Sequence, residues 1–438
     1  MAQSRRTFLG TAIAAGSLAA SCGQSSSPKQ QTAARKVTVP TLLEIAPDGP
    51  ELKAGLIGCG GRGRGAAVQY IQAGPNCRIT ALGDTFPDRI AEARKVLSEQ
   101  GGQEVPESSC FVGFDAFQKV IDSGVDVIIL ATPPHFRPEH LAAAIAAGKH
   151  VFAEKPLAVD PVGIRSVIES AGQARTKNLC IVTGTQRRHQ KQYIETWRRV
   201  AEGMIGDIVS ARCYWNMSQL WYRERQQGWT DMEWMIRDWV NWCWLSGDHI
   251  VEQHVHNIDV INWFTGKLPV SGVAFGSRQR RVTGDQYDNF AVDFTYEGGL
   301  HCMSMSRQIN GCANNVSEFI VGTNGSTNCM DTIWAPDGSV LWKFEVREGE
   351  KEPNNPYLQE HIDLVTAIRT GEIINEAKTT AESTMCAILG RQSAYTGKEQ
   401  VWQEMMDSEM RLGPTEYTMS NIGATAVIPV PGAEKNEG

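Results

Sequence analysis

The chain has 438 residues, enough for two or three domains at about 150 residues each. Its net charge is −7 and it carries no block of Lys and Arg, which argues against a nucleic-acid partner. Eleven cysteines are scattered singly with no CxxC pair, a pattern of buried small side chains rather than of a disulfide framework or a zinc site.

In chain order, "SRRTFLG" (4–10) followed by the small apolar run "TAIAAGSLAA" reads as an export signal over residues 1–22. Its paired arginines match the twin-arginine type, and its apolar run is too short for a membrane span, which needs about 20 residues. "AASC" resembles a lipobox, which makes Cys22 a candidate lipid anchor and a periplasmic or membrane-anchored location the expectation. Residues 23–49 are Ser/Gln-rich and interrupted by Pro28, Pro40 and Pro47, the composition of a flexible tether.

From Leu52 onward short apolar runs alternate with helical segments. "LKAGLIG", "RITALGD", "VDVIILATPP" and "HVFAEKP" read as buried parallel strands, and 86–99 and 138–148 as amphipathic helices. A doubly wound domain over 50–175 follows. "GCGGRG" places Gly58, Gly60 and Gly63 as GxGxxG between the first strand and its helix, and Asp84 ends the next strand 21 residues later. Glycines permit the tight turn and the close approach of a pyrophosphate, while a carboxylate at Asp84 suits a ribose 2′-hydroxyl. NAD is therefore expected; Arg62, Arg64 and Arg89 keep NADP open.

Beyond 175 the pattern changes. "NFAVDFTYEGG" and "LHCMSMSRQ" alternate as antiparallel strands do, and 357–371 and 380–395 read as helices. A second α/β domain is expected over 176–412 and a loose tail over 413–438. Lys155 ends a strand, where ligands of open parallel sheets bind. In "GDHIVEQHVHNIDVINWF" a helix of about 100° per residue would align His249, Glu252, His256 and Asp259 within an arc of about 80°. Such a stripe is a catalytic group, a hydrogen-bonded structural network, or a metal site formed by His249, Glu252 and His256. No second ligand cluster supports the metal. Seven of the twelve tryptophans fall within 215–244 beside Arg223, Arg225 and Arg237. Their spacing fits no single period, and either a sugar platform including Arg237 and Trp239 or core packing accounts for them.

The glycine loop with Asp84, "ATPPHFRPEHLAAAIAAGKHVFAEKP", "GTQRRH", "HNIDVINWFTG" and "GRQSAYTGK" together resemble the Gfo/Idh/MocA family over about residues 52–405. The resemblance implies a Rossmann domain plus a domain with a large open, mostly antiparallel sheet that forms oligomer contacts. It implies Lys155, His256 and Glu252 as catalytic residues, with His256 as base and a Lys155–Pro156 bond that can be cis. Cofactor contacts are implied at Arg62, Thr132, Pro133, His135, Glu154 and Lys155. This chain has Glu252 where the family pattern carries Asp, and His254 where it carries Gly.

The expected activity is oxidation of a sugar or glycoside hydroxyl by a tightly held NAD(P) that is recycled in place. One alternative is an NAD-dependent glycosidase working through transient oxidation at C3, and a second is a non-catalytic binding protein that keeps its nucleotide. The expected partners are a small carbohydrate and further copies of the chain.

Overall fold

The computed structural model describes residue 37 and residues 39–346, 354–423 and 425–433. The export signal, Cys22 and residues 23–36 of the tether lie outside the described residues.

Six short runs, Leu52–Ile57 (β1), Cys77–Asp84 (β2), Cys110–Val112 (β3), Val127–Leu130 (β4), His150–Ala153 (β5) and Ile181–Thr183 (β6), form one parallel sheet in the order 3-2-1-4-5-6. The helices Gly61–Gln72 (α1), Pro87–Gly101 (α2), Ala116–Ile121 (α3), Arg137–Ala146 (α4) and Pro161–Thr176 (α5) connect the strands. Every residue of β4 is buried, as expected where helices cover both faces of a parallel sheet.

The chain continues through Lys191–Ala201 (α6), Ile208–Met217 (β7), Asp231–Arg237 (α7), Cys243–Ser246 (α8), His249–Glu252 (α9) and Val255–Thr265 (α10). Next come Pro269–Ser277 (β8), Asn289–Tyr296 (β9), His301–Gln308 (β10), Asn315–Gly322 (β11), Ser326–Thr327 (β12), Thr332–Trp334 (β13) and Val340–Lys343 (β14). Pro356–Thr370 (α11), Ala377–Thr396 (α12), Gln400–Val401 (β15) and Trp402–Asp407 (α13) complete the described elements. The nine strands from β7 onward make a second sheet in the order 14-13-12-11-7-10-9-8-15. All its pairings are antiparallel except β10 with β7.

Alternation along β9 sends Phe290, Val292, Phe294 and Tyr296 inward, into one core cluster with Ile258 and Ile261 of α10 and Ile388 and Leu389 of α12. Burying each such side chain contributes about 1.5–3 kcal/mol. The opposite face leaves Val273, Phe275, Met303 and Met305 exposed, Phe275 to 79%.

Three boundaries differ from the sequence reading. β6 pairs with β5, so the parallel sheet extends past residue 175. Helix α11 joins the first domain: Ile362, Leu364 and Val365 pack in one cluster with Leu56 and Tyr70. Residues 412–423 are not a loose tail. Leu412 N donates to Asp160 Oδ2 at 2.9 Å, Tyr417 packs on Phe114 and Phe136, and Gly423 N donates to Asp231 Oδ2 at 2.9 Å.

Candidate active site

β1 runs into the glycine loop. Gly58 has φ of +95°, and a Cβ there would lie 2.5 Å from the Ala131 carbonyl carbon, so the turn requires glycine. A Cβ on Gly63 would fall 1.9 Å from Gly58 O, which fixes how closely α1 packs on the turn. Gly60 and Gly61 face open space instead. No side chain caps α1 at Gly60, so its first N–H groups are available to an anion in the cleft.

Asp84 closes the other side of the cleft. Its Oδ2 accepts from Cys59 N at 2.7 Å and its Oδ1 from Phe86 N at 2.9 Å. Burial raises its pKa, and these two backbone bonds oppose the rise. The cavity between loop and carboxylate measures about 440 Å³ and is lined by Gly58, Gly60, Arg62, Gly63, Asp84, Thr132 and Pro133, among others. Thr132 Oγ1 is buried without a protein partner. An open glycine turn, an uncapped helix start, a carboxylate and an orphaned hydroxyl fit a dinucleotide.

Arg62 also ties the loop to the next motif. Its Nε donates to Glu154 Oε1 at 2.5 Å, and its Nη2 lies 3.6 Å from Glu360 Oε2 on α11. The sequence reading has no role for Glu360, which is fully buried.

β5 ends immediately before Glu154-Lys155-Pro156, and the Lys155–Pro156 bond is cis. Arg137 Nη1 donates to Pro156 O at 2.6 Å and holds this turn from behind; burial brings the Arg137 pKa down to about 10. Lys155 Nζ donates to the Glu252 carbonyl O at 2.5 Å and to Glu252 Oε1 at 3.1 Å. Lys155 is only 9% exposed and Glu252 7%. An ammonium has three N–H donors, so one remains for a ligand oxygen.

His256 lies in the first turn of α10, its ring stacked on Trp215 of β7 at 5.8 Å between centroids. Burial, and then the positive charges of Lys155, Arg187 and Arg62, push its pKa well below 6.5. The imidazole is therefore neutral at pH 7 and able to accept a proton.

The single helical stripe does not form. The chain breaks between α9 and α10 at Gln253 and His254. His249 bonds Asp248 Oδ1 at 3.0 Å and Ser306 Oγ at 3.1 Å, and His254 Nε2 bonds Ser304 Oγ at 2.6 Å. Asp259 receives both Arg188 Nε (2.8 Å) and Nη2 (2.9 Å), plus Ser383 Oγ at 2.8 Å. Those three residues are structural connectors, and only Glu252 and His256 remain with Lys155. Among the described residues no group of three or more His, Cys, Asp or Glu is placed to hold a metal ion.

His135 turns away from the cleft. Its Nε2 meets Tyr417 OH at 2.7 Å, its ring stands edge-on to Trp244, and burial lowers its pKa to about 4. Arg237 and Trp239, expected at a sugar, line the nucleotide cavity instead. Trp242 and Trp244 are core, clustered with Phe136 and Met232. Of the tryptophan-rich stretch, it is Trp215 that meets His256. The sequence reading assigns no role to Arg187, which is partly buried on the His256 side and donates from Nη1 to Glu318 Oε1 at 2.7 Å. Its position in "GTQRRH", just past the carboxyl end of β6, is the signal that could have marked it.

Two family models match the chain. One describes an oxidoreductase family with an NAD-binding Rossmann fold and covers residues 52–183; the other describes the GFO/IDH/MocA C-terminal domain and covers residues 193–328. The chain is 25% identical over 229 residues to an inositol 2-dehydrogenase/D-chiro-inositol 3-dehydrogenase of Lactiplantibacillus plantarum, across 52% of this chain and 57% of that protein. It is also 25% identical over 213 residues to a glycosyl hydrolase family 109 protein of Streptomyces coelicolor, across 48% and 44%. The chain spans about half the length of these curated relatives. The fold is shared with scyllo-inositol dehydrogenase of Lactobacillus casei crystallised with NAD(H) and scyllo-inositol, at TM-score 0.59 and 20% identity over 81% of this chain and 99% of that one. It is shared as well with an aldose-aldose oxidoreductase of Caulobacter crescentus, at TM-score 0.62 and 18% identity over 80% and 99%.

Proposed function

Because the chain belongs to the Gfo/Idh/MocA oxidoreductase family, we propose that it is an NAD(P)-dependent oxidoreductase acting on a hydroxyl of a sugar or glycoside. The observation that carries this reading is a neutral His256 beside the Lys155–Glu252 pair, just past the carboxyl end of β5, which pairs with the strand that runs into the dinucleotide cleft. His256 takes the proton of the substrate hydroxyl. Lys155 donates its free N–H to the same oxygen, and Glu252 fixes the direction of that ammonium. Trp215 backs the imidazole and holds its plane. The nicotinamide, when bound, accepts the carbon-bound hydrogen with its electron pair.

Asp84 favours NAD, since its carboxylate repels a 2′-phosphate; Arg64 and Arg89, which also line the cavity, are the groups that would admit NADP. The twin-arginine pattern and Cys22 support a folded, exported and lipid-anchored protein. Outside the cytoplasm a nucleotide has no pool to exchange with, so it is retained and regenerated on the protein by a second carbonyl substrate. The exposed Val273, Phe275, Met303 and Met305 face supports a homo-oligomer through the nine-stranded sheet.

The similarity to glycosyl hydrolase family 109 proteins supports a second reading. There, transient oxidation at C3 acidifies the C2 proton, the aglycone leaves by elimination, water adds in its place, and the hydride returns to C3. Mixing as-purified protein with simple glucosides and galactosides, without added nucleotide, separates the two. A lasting reduced-nicotinamide band means oxidation that waits for an acceptor, and free aglycone without that band means the glycosidase. Neither signal across a broad sugar panel refutes both and leaves the non-catalytic nucleotide-binding protein.

A further inference from the structure

Nucleotide sites on open parallel sheets lie in the crevice outside the strand ends. In this chain that crevice is crossed by residues 219–242 of the second domain. Trp221, Arg223, Arg237 and Trp239 line the same cavity as Gly60 and Asp84. Arg237 fixes where they sit. Its guanidinium lies 3.8 Å from the Phe86 ring centre and pairs with both Asp88 oxygens at 3.0 and 3.1 Å. Phe86 and Asp88 follow Asp84 by two and four residues, so the crossing covers the wall next to the carboxylate that suits a ribose.

The crossing segment is internally braced. Trp234 Nε1 donates to Arg223 O at 2.8 Å, and buried Asp238 accepts from Arg223 N at 2.7 Å and Asn241 Nδ2 at 2.8 Å. Residues 412–423 hold it from outside, where Met232 N donates to Ser420 O at 3.3 Å and Gly423 N to Asp231 Oδ2 at 2.9 Å. Trp221 nevertheless stays 45% exposed and stands edge-on to Trp239 at 6.2 Å. A flat apolar ring left open at a cavity wall, with the Arg223 guanidinium 5.5 Å from its centre, suits a purine and its phosphates better than it suits a core.

We propose that residues 219–242 form the outer wall of the adenosine subsite and retain the nucleotide. Trp221 and Trp239 contact the adenine, Arg223 faces ribose and phosphate oxygens, Arg237, held by Asp88 and Glu233, latches the segment, and release requires it to lift from Phe86 and Asp88. The inference rests on the dinucleotide reading of the cleft and adds the element that makes binding slow to reverse.

The test uses full-length protein loaded with NADH, chased with excess NAD⁺, with dissociation followed by the fluorescence of bound NADH. Trp221→Ala and Trp239→Ala should each speed dissociation about tenfold, the usual effect of losing one base-stacking ring. Asp88→Asn breaks only the half-exposed latch and should speed it about threefold. Asp88 and Trp221 are about half exposed, so Asp88→Asn and Trp221→Ala should melt close to the wild type, whereas Trp239 packs partly buried against the Met232 cluster and its variant is compared only where a thermal scan shows it folded. Dissociation unchanged in all three variants, from a wild type that does hold NADH, overturns the strap alone. A wild type that binds neither NADH nor NADPH overturns the dinucleotide reading and the strap with it.

Discussion

Replacing Lys155 by Met keeps an unbranched apolar stem and deletes the N–H donors. Glu252 then loses the bonds to its carbonyl O (2.5 Å) and to Oε1 (3.1 Å), while Oε2 keeps its bond from Gln253 Nε2. Stripping the partner from a buried carboxylate costs about 3–5 kcal/mol. Retention of the Gln253 bond places this case near 3 kcal/mol at pH 7. Lys155→Met should therefore lose about 3 kcal/mol in urea melts at pH 7. On the reaction, losing one donor to the substrate oxygen costs about 10²–10³-fold. Single-turnover reduction of the bound nicotinamide by an accepted sugar measures that cost directly, and nucleotide content should be unchanged because Lys155 does not line the cleft. A loss below about 1 kcal/mol, the size seen for an exposed ion pair, would refute the buried-pair reasoning. A single-turnover rate within threefold of wild type would remove Lys155 from the chemistry.

Three further outcomes follow from the same geometry. His256→Asn should abolish sugar-dependent reduction with nucleotide still bound; in the wild type the acid limb of the rate profile should lie below pH 6.5, and in Lys155→Met it should move upward, because Lys155 is the foremost of the charges depressing the imidazole. Gly63→Ala should prevent folding, its Cβ falling 1.9 Å from Gly58 O, whereas Gly60→Ala, open on all sides, should melt as wild type while binding NAD more weakly in titration calorimetry. Stability should fall as pH drops from 6.5 to 5. Burial lowers His140 to about 3 and holds His256 and His361 well below their ordinary value, so there the unfolded chain binds protons that the folded one does not. Each such group contributes a slope of about 1.4 kcal/mol per pH unit. His189, raised by Glu376 and Asp363, and the buried carboxyls of Glu360 and of Asp285, the latter pushed up to about 6, offset part of that slope; a urea midpoint that rose as pH fell across the window would contradict the burial of these imidazoles.

The elements legible in the sequence are those whose pattern is local. β1, β2, β4 and β5 are apolar runs closed by glycine, aspartate or proline, and helix 357–371 appears as Pro356–Thr370 because its apolar period is carried within its own turns. β3 and β6 have three residues each, too few for a period, and they exist only because β2 and β5 offer open edges. The placement of α11 was illegible for a related reason. An amphipathic helix states that it has a buried face, not which sheet will bury it, and Ile362 and Val365 find the first domain after more than 150 intervening residues.

The stripe of His249, Glu252, His256 and Asp259 shows the other limit. A helical projection assumes one unbroken axis, and the chain leaves that axis at Gln253–His254, where the His254 imidazole meets Ser304 on β10. No residue in the window announces this, because the partner that stabilises the break lies fifty residues away. The break is also what makes the site. It detaches His249 into the Asp248–Ser306 network and Asp259 into the Arg188 pair, and it leaves Glu252 ending one short helix and His256 in the first turn of the next, so that Lys155 bonds the first and its charge acts on the second. His254, which stands where glycine is usual in the resemblance, therefore acts by positioning its neighbours. Aperiodic tryptophan spacing carries the same lesson: residues 215–244 serve a strand, a crossing segment and a core cluster in turn, and no single period can describe a stretch that changes partners three times.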